Sequence, residues 1–165
     1  MPATPGSGEL YLWRLDRREY AASWDSGIGA ELAGGRWNSR GVRAVYASAD
    51  AATAILEVAV HKGFAALDRI PHVLTCARIL DPARVLRVEA NELPNRNWLV
   101  PGIPGQGQQA FGNELLGAHP FILIPSAVLP HSWNLLLSPA LAEGAYELVS
   151  QEPFALDTRL NPPAP

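Results

Sequence analysis

The sequence predicts an α+β fold, a mixed β-sheet core with flanking helices, and three observations carry that reading. Several short apolar runs of strand length are separated by turn residues. One strongly helical segment lies among them, between Asp50 and Gly63. The two kinds of segment do not follow the regular strand–helix–strand alternation of a parallel, doubly wound sheet. The 165 residues are 48% hydrophobic and 18% charged, the balance of a folded chain and not of a disordered one. That length suits one domain, 1–165, able to bury a core without disulfides, with residues 1–8 and 161–165 expected as flexible ends.

The elements follow in order. Leu10 to Leu15 reads as a first strand, with the β-favouring Tyr11 and Trp13. A glycine-rich loop runs from Gly27 to Gly41, and Val42 to Ala47 is a short apolar strand containing Tyr46. Asp50 can cap a helix that continues to about Lys62, with Gly63 as its stop. Ala51, Ala54, Ile55 and Val58 form its core face. Ala52, Leu56 and Val60 make the other side apolar too, so the helix is expected to be covered all round. Val73 to Leu80 and Val85 to Val88 read as strands separated by the turn Asp81-Pro82. From Asn91 to Gln109, Pro, Gly and Asn predict a long surface loop, followed by a short helix over Ala110 to Leu116. Phe121 to Ile124 is a buried-type strand ending at Pro125-Ser126, and Tyr146 to Val149 is a last strand.

Charge and cysteine content narrow the function classes. The net charge is −3 and no Lys/Arg cluster occurs, so direct nucleic-acid binding is not expected. Lys62 is the only lysine among thirteen cations, so nearly every cation is a planar arginine fork suited to phosphate or carboxylate. Cys76 stands alone in the run Val73-Leu74-Thr75-Cys76 and reads as a core thiol in a reducing compartment. The N-terminal residues do not resemble a signal peptide and no run is long enough to span a bilayer; a cytoplasmic protein without a membrane partner is expected. His61, His72, His119 and His131 show no ligand spacing, so a metal site is not expected; no prosthetic cofactor is expected either.

Four features could carry chemistry. Gly27-Ile28-Gly29-Ala30 fails as a dinucleotide fingerprint, because Leu32 stands where a third glycine is required. What remains is Gly34-Gly35-Arg36-Trp37-Asn38, in which backbone at Gly35 can approach a ligand, Arg36 can grip a phosphate and Trp37 offers an aromatic face. Taken alone, that loop favours a plain turn with a solvated arginine. Glu57 shares a helical stripe with Asp50 and His61. It is either an i,i+4 partner of His61 on the wet face or a carboxylate set in a cleft. Ser126 follows a buried strand without a nucleophile-elbow motif, which suits a turn or positioning hydroxyl better than a nucleophile.

Together these stretches resemble one family. They are Trp13-Arg14, Gly27-Ile28-Gly29-Ala30, Gly34 to Asn38, Val45-Tyr46-Ala47-Ser48, Ala54-Ile55-Leu56-Glu57-Val58, Ile124-Pro125-Ser126-Ala127-Val128, Asn134-Leu135-Leu136 and Phe154 to Leu160. In that order, over nearly the full length, they resemble the RES-domain toxins of bacterial toxin–antitoxin pairs. The resemblance implies a fold like that of the ADP-ribosyltransferase toxins and an enzyme that degrades NAD as its substrate, by phosphorolysis or hydrolysis. ADP-ribosyl transfer to a protein is the alternative, and a catalytically silent nucleotide-binding module a second. It implies Glu57, Arg36 and Tyr46 as catalytic residues, and Arg14, Ser126, Gly35, Trp37 and Asn134 as substrate-binding ones. Implied partners are NAD, inorganic phosphate as an acceptor, and a cognate Xre-like, DNA-binding antitoxin; a homodimer stays open. Three positions depart from the family pattern: Leu115 near a usual tryptophan, Ser138 before Pro139 where asparagine is commoner, and Thr158 where proline is commoner.

Overall fold

The computed structural model describes residues 8–165; residues 1–7, most of the expected N-terminal end, lie outside the described residues. It has a mixed seven-stranded sheet flanked by helices, so the α+β expectation holds. The strands are β1 (Leu10–Arg17), β2 (Val45–Ser48), β3 (His72–Ile79), β4 (Val85–Arg87), β5 (Phe121–Pro125), β6 (Trp133–Leu137) and β7 (Tyr146–Phe154). The helices are α1 (Ile28–Ala33), α2 (Ala51–Lys62), α3 (Phe64–Arg69), α4 (Gln106–Ala118) and α5 (Pro139–Ala142). The sheet order is β4-β5-β6-β2-β1-β3-β7, antiparallel except for the β4/β5 pair.

Side-chain alternation explains why the central strands are continuously apolar. Phe121, Leu123, Val45, Ala47, Leu135 and Leu137 join Leu12 and Ile79 in one core. Their neighbours Ile122, Ile124 and Leu136 enter another, with Trp37, Leu93 and Leu116. Both faces are covered, so both parities must be apolar. A third, smaller cluster seats α2 and α3 through Leu15, Ala59, Leu67 and Leu156.

One irregularity locates the site. β1 and β3 pair along eight residues, but β1 and β2 pair only at Trp13↔Ser48. Beyond that pair the two halves of the sheet part, and the gap between them is lined by side chains of β1, β2 and α2.

Several expectations are corrected. The segment Gly27–Gly41 is not all loop, because good helix formers from Ala30 to Ala33 complete α1. The N-cap of α2 is as expected, with the Asp50 carboxylate accepting from the Thr53 N–H at 2.8 Å. The helix is not covered all round, since it packs on the sheet and α3 from one side only and leaves Ala52, Val60, His61 and Lys62 exposed. The expected loop Asn91–Gln109 contains a 3-10 turn at Arg96–Leu99 and the first turn of α4. β6 has no counterpart among the expected strands. β7 is five residues longer than the expected Tyr146–Val149, tolerating Pro153 because it is an edge strand. Residues 161–165 carry no regular structure, though the Asn161 amide donates to Asp68 at 3.0 Å.

Candidate active site

The gap between the half-sheets is a cavity of about 780 Å³, within the size range of small-molecule sites. Arg14 and Asp16 of β1, Arg36 of the loop after α1, Tyr46 and Ser48 of β2, Glu57 and His61 of α2, and Asn134 of β6 are among its lining residues. Apart from Ser126 and the ring of Trp37, the side chains expected at a site converge here.

Glu57 is the best-defined group. One carboxylate oxygen, Oε1, accepts from the Ser126 hydroxyl and from the Asn134 amide, both at 2.7 Å. Among the described residues nothing donates to Oε2. The alternative of a Glu57–His61 pair is not realised: the two share the cavity wall without bonding to each other. Ser126 is buried and lies outside the wall. Its oxygen also accepts from the N–H groups of Val128 and Leu129 at 3.1 Å. It therefore caps the turn and holds the Glu57 carboxylate, while the resemblance implies a substrate contact for it.

Tyr46 lines the cavity as well, with its hydroxyl committed within the protein. Its hydroxyl accepts from the Trp37 N–H at 2.8 Å and donates to Asn38 Oδ1 at 2.7 Å. Burial pushes that phenol well above its ordinary range. The ring lines the cavity while the hydroxyl pins the loop that carries Arg36. A Cβ on Gly35 would stand 2.6 Å from the same hydroxyl, so the close approach admits only glycine. Tyr46→Phe strands the buried Trp37 N–H, and the expected loss of stability is about 1–3 kcal/mol. Chemical denaturation of the two proteins checks it; equal midpoints would contradict the pinning role.

Trp37 does not offer a free face. It is 1% exposed and packs against Trp98 and Phe111, with centroids 6.3 and 6.2 Å away. Leu115 borders the same cluster, behind the loop and not in the cavity. Arg36 is half-buried, and its fork is tied to the protein instead of standing free in solvent. Its Nη1 donates to the carbonyl of Trp98 at 2.8 Å, and Gln108 donates to the same oxygen at 3.1 Å. Helix α4 completes the clamp, with Gln109 donating to the Gly35 carbonyl at 2.9 Å and Asn113 accepting from the Ser39 N–H at 3.0 Å. These α4 residues escaped sequence reasoning because they are scattered polar positions without a motif.

Arg14 meets a residue that the sequence could have revealed. Asp16 is two positions on, hence on the same face of the strand. Arg14 Nε donates to Asp16 Oδ2 at 3.0 Å, Nη2 lies 2.9 Å from Oδ1, and Nη1 donates to the Tyr46 carbonyl at 2.6 Å. Five N–H bonds leave the fork capacity for a ligand as well. Burial pushes the Asp16 carboxyl up, only partly offset by Arg14, Lys62 and His72. A raised folded-state value means that the folded chain holds this proton more tightly than the unfolded one. Stability relative to Asp16→Asn is then greatest below the unfolded value of about 3.9, and falls as pH rises through the folded value. Melting both proteins at pH 4 and pH 7.5 checks the sign; a constant difference would contradict it.

Cys76 is buried and burial raises its thiol, consistent with a core residue. Among the described residues no three of His, Cys, Asp or Glu gather as metal ligands would, and no helix is long and apolar enough to cross a membrane.

Known proteins share this arrangement of sequence and fold. The family model described as RES domain matches residues 11–157. A protein of Photorhabdus laumondii named Toxin Res is 31% identical over 157 residues, covering 92% of this chain and 97% of that one. A Sphingobium protein named Prs ADP-ribosylating toxin is 35% identical over 142 residues, covering 78% and 82%. The M. tuberculosis MbcT–MbcA toxin–antitoxin complex contains a chain that matches with a TM-score of 0.64 at 19% identity, covering 90% of this chain and 87% of that chain. At that identity the likeness concerns the fold.

Proposed function

Because the chain belongs to the RES-domain family, we propose that it is the toxin of a toxin–antitoxin pair and that it degrades NAD at the nicotinamide–ribose bond. The observation that carries this reading is the Glu57 carboxylate, held through one oxygen by two neutral donors at the wall of a cavity that also presents Arg14 and Arg36. A carboxylate fixed in that position beside two arginine forks suits a reaction that develops positive charge, which favours an enzyme over a silent binding module.

The chemistry suits the residues. The bond from the ribose C1′ to the pyridinium nitrogen breaks, and its electron pair neutralises that nitrogen, so nicotinamide leaves without a general acid. Positive charge develops on the ribose as an oxocarbenium ion, opposed by Glu57 through its uncommitted oxygen, which can also hold a ribose hydroxyl. Arg14 retains donors for the diphosphate. Arg36 serves that role only by sharing its fork with the Trp98 carbonyl. Water or a phosphate oxygen then bonds to C1′, and in the hydrolytic case the attacking water gives up a proton to bulk solvent as the C–O bond forms.

A second reading, ADP-ribosyl transfer to a protein, is favoured by the name of the Sphingobium relative, Prs ADP-ribosylating toxin. Incubation with labelled NAD in phosphate buffer and in phosphate-free buffer separates the acceptors. ADP-ribose 1″-phosphate marks phosphorolysis, free ADP-ribose marks hydrolysis, and label on a macromolecule marks transfer; unchanged NAD in every arm would sink all three. The likeness to the MbcT–MbcA toxin–antitoxin complex supports an antitoxin partner. Co-expression with the cognate antitoxin is then expected to abolish activity. The reaction uses no resident cofactor, and NAD enters as substrate.

A further inference from the structure

Asn134 presents its amide to Glu57, and an amide has two unlike ends. Only the NH₂ end can serve a carboxylate, which accepts and cannot donate. The carbonyl end of this half-buried side chain can take a donor from a neighbouring strand, since β6 runs between β2 and β5. Ser48 supplies it. Its hydroxyl donates to Asn134 Oδ1 at 3.0 Å, and Asn134 Nδ2 donates to Glu57 Oε1 at 2.7 Å. Ser48 and Asn134 are direct cross-strand partners on β2 and β6. Ser48 is 2% exposed, and it is also the residue at which β1 and β2 make their single pair.

The three groups form a directed relay that starts where the sheet begins to part and ends on the reactive carboxylate. From these contacts we infer that Ser48 is a positioning residue of the active site: it holds the Asn134 carbonyl so that the amide stays turned with its NH₂ toward Glu57. Without the hydroxyl, Asn134 Oδ1 has no donor among the described residues, and turning the amide over would set that oxygen against the carboxylate. A half-satisfied buried network loses its geometry before it loses its fold. Ser48 touches no reacting atom, and its effect reaches the substrate only through Asn134 and Glu57.

The inference rests on the reading of Glu57 as the group that opposes charge on the substrate ribose. Its test compares Ser48→Ala, Ser48→Thr, Asn134→Ala and the double variant Ser48→Ala/Asn134→Ala. Ser48→Ala is expected to lower kcat for nicotinamide release about tenfold with KM within about twofold, in the range seen when outer-shell partners are removed. Ser48→Thr, which keeps the hydroxyl, restores most of the rate, and the double variant is no slower than Asn134→Ala. Losses that multiply in the double variant, a Ser48→Ala enzyme within twofold of wild type, or a Thr variant that folds yet restores nothing would overturn it. A second measurement does not depend on turnover: the Asn134 side-chain NH₂ signals in NMR are expected to be exchange-protected in the wild type and unprotected in Ser48→Ala. If the wild type releases no nicotinamide, the reaction fails as a reading. The relay is then decided by those signals, and equal protection in both proteins overturns it.

Discussion

Glu57→Gln is expected to lower the rate of nicotinamide release by roughly 10²- to 10³-fold, the usual effect of removing a group aimed at developing charge. Glutamine has nearly the shape of glutamate, and its carbonyl oxygen can still accept from Ser126 and Asn134 where Oε1 now does, at 2.7 Å. What it cannot supply is the negative charge at the second oxygen. The loss should therefore fall on kcat, with KM for NAD changed little, because the charge acts on the transition state more than on bound NAD. The melting temperature should hold, since two buried donors keep their acceptor. Steady-state kinetics and a thermal melt on the same preparation check both halves. A variant as fast as wild type would reduce Glu57 to an architectural residue, the role sequence alone left open beside the catalytic one.

The largest expected effect on stability is at Gly112. In the middle of an exposed helix, Gly→Ala stabilises by up to about 1 kcal/mol, because alanine orders the unfolded chain less expensively. Here the added Cβ would lie 1.8 Å from the Trp37 carbonyl oxygen and 2.5 Å from its carbon. Both are backbone atoms of a residue that is itself 1% exposed, so no side chain can swing aside. Helix α4 must move away from the loop. That movement also strains the bonds from Gln109 to Gly35 and from Asn113 to Ser39. Overpacking of this kind costs about 1–3 kcal/mol and occasionally more; contact with rigid backbone places Gly112→Ala at the upper end, about 3 kcal/mol. For a chain of this length that corresponds to a fall in Tm of roughly 6–12 °C. Activity should fall with it, since the same loop carries Arg36. An unchanged or higher Tm would mean that the helix does not rest on Trp37.

The features legible in the sequence were those encoded locally. The run from Asp50 to Gly63 announces its own cap, period and stop, and α2 follows it residue for residue. Phe121 to Ile124 reads as a buried strand because each parity is apolar, and β5 needs both. Resemblance brings the candidate site residues together as a set, while their placement depends on contacts that no local pattern specifies. Tyr46 reaches back eight residues to Asn38, Ser126 reaches Glu57 across 69, and Asn134 does so across 77. Nothing in the sequence near Arg36 says that its guanidinium is tied to Trp98, 62 residues away. Trp37 was misread for the same reason: an aromatic beside glycines suits a ligand face or a core plug, and its partners Trp98 and Phe111 decide for the core. Asp16 differs from these. Its spacing of two from Arg14 on a strand places both on one face, a signal present in the sequence once the strand is recognised.

The account stands on a carboxylate facing the substrate in a cavity where the sheet parts. Its most direct test is a time course of purified protein with NAD, followed by chromatographic separation of nicotinamide from the dinucleotide. The account predicts one nicotinamide released for each NAD lost, over many turnovers, and almost none with Glu57→Gln. NAD left intact by a folded wild-type chain, free of any antitoxin, would contradict it.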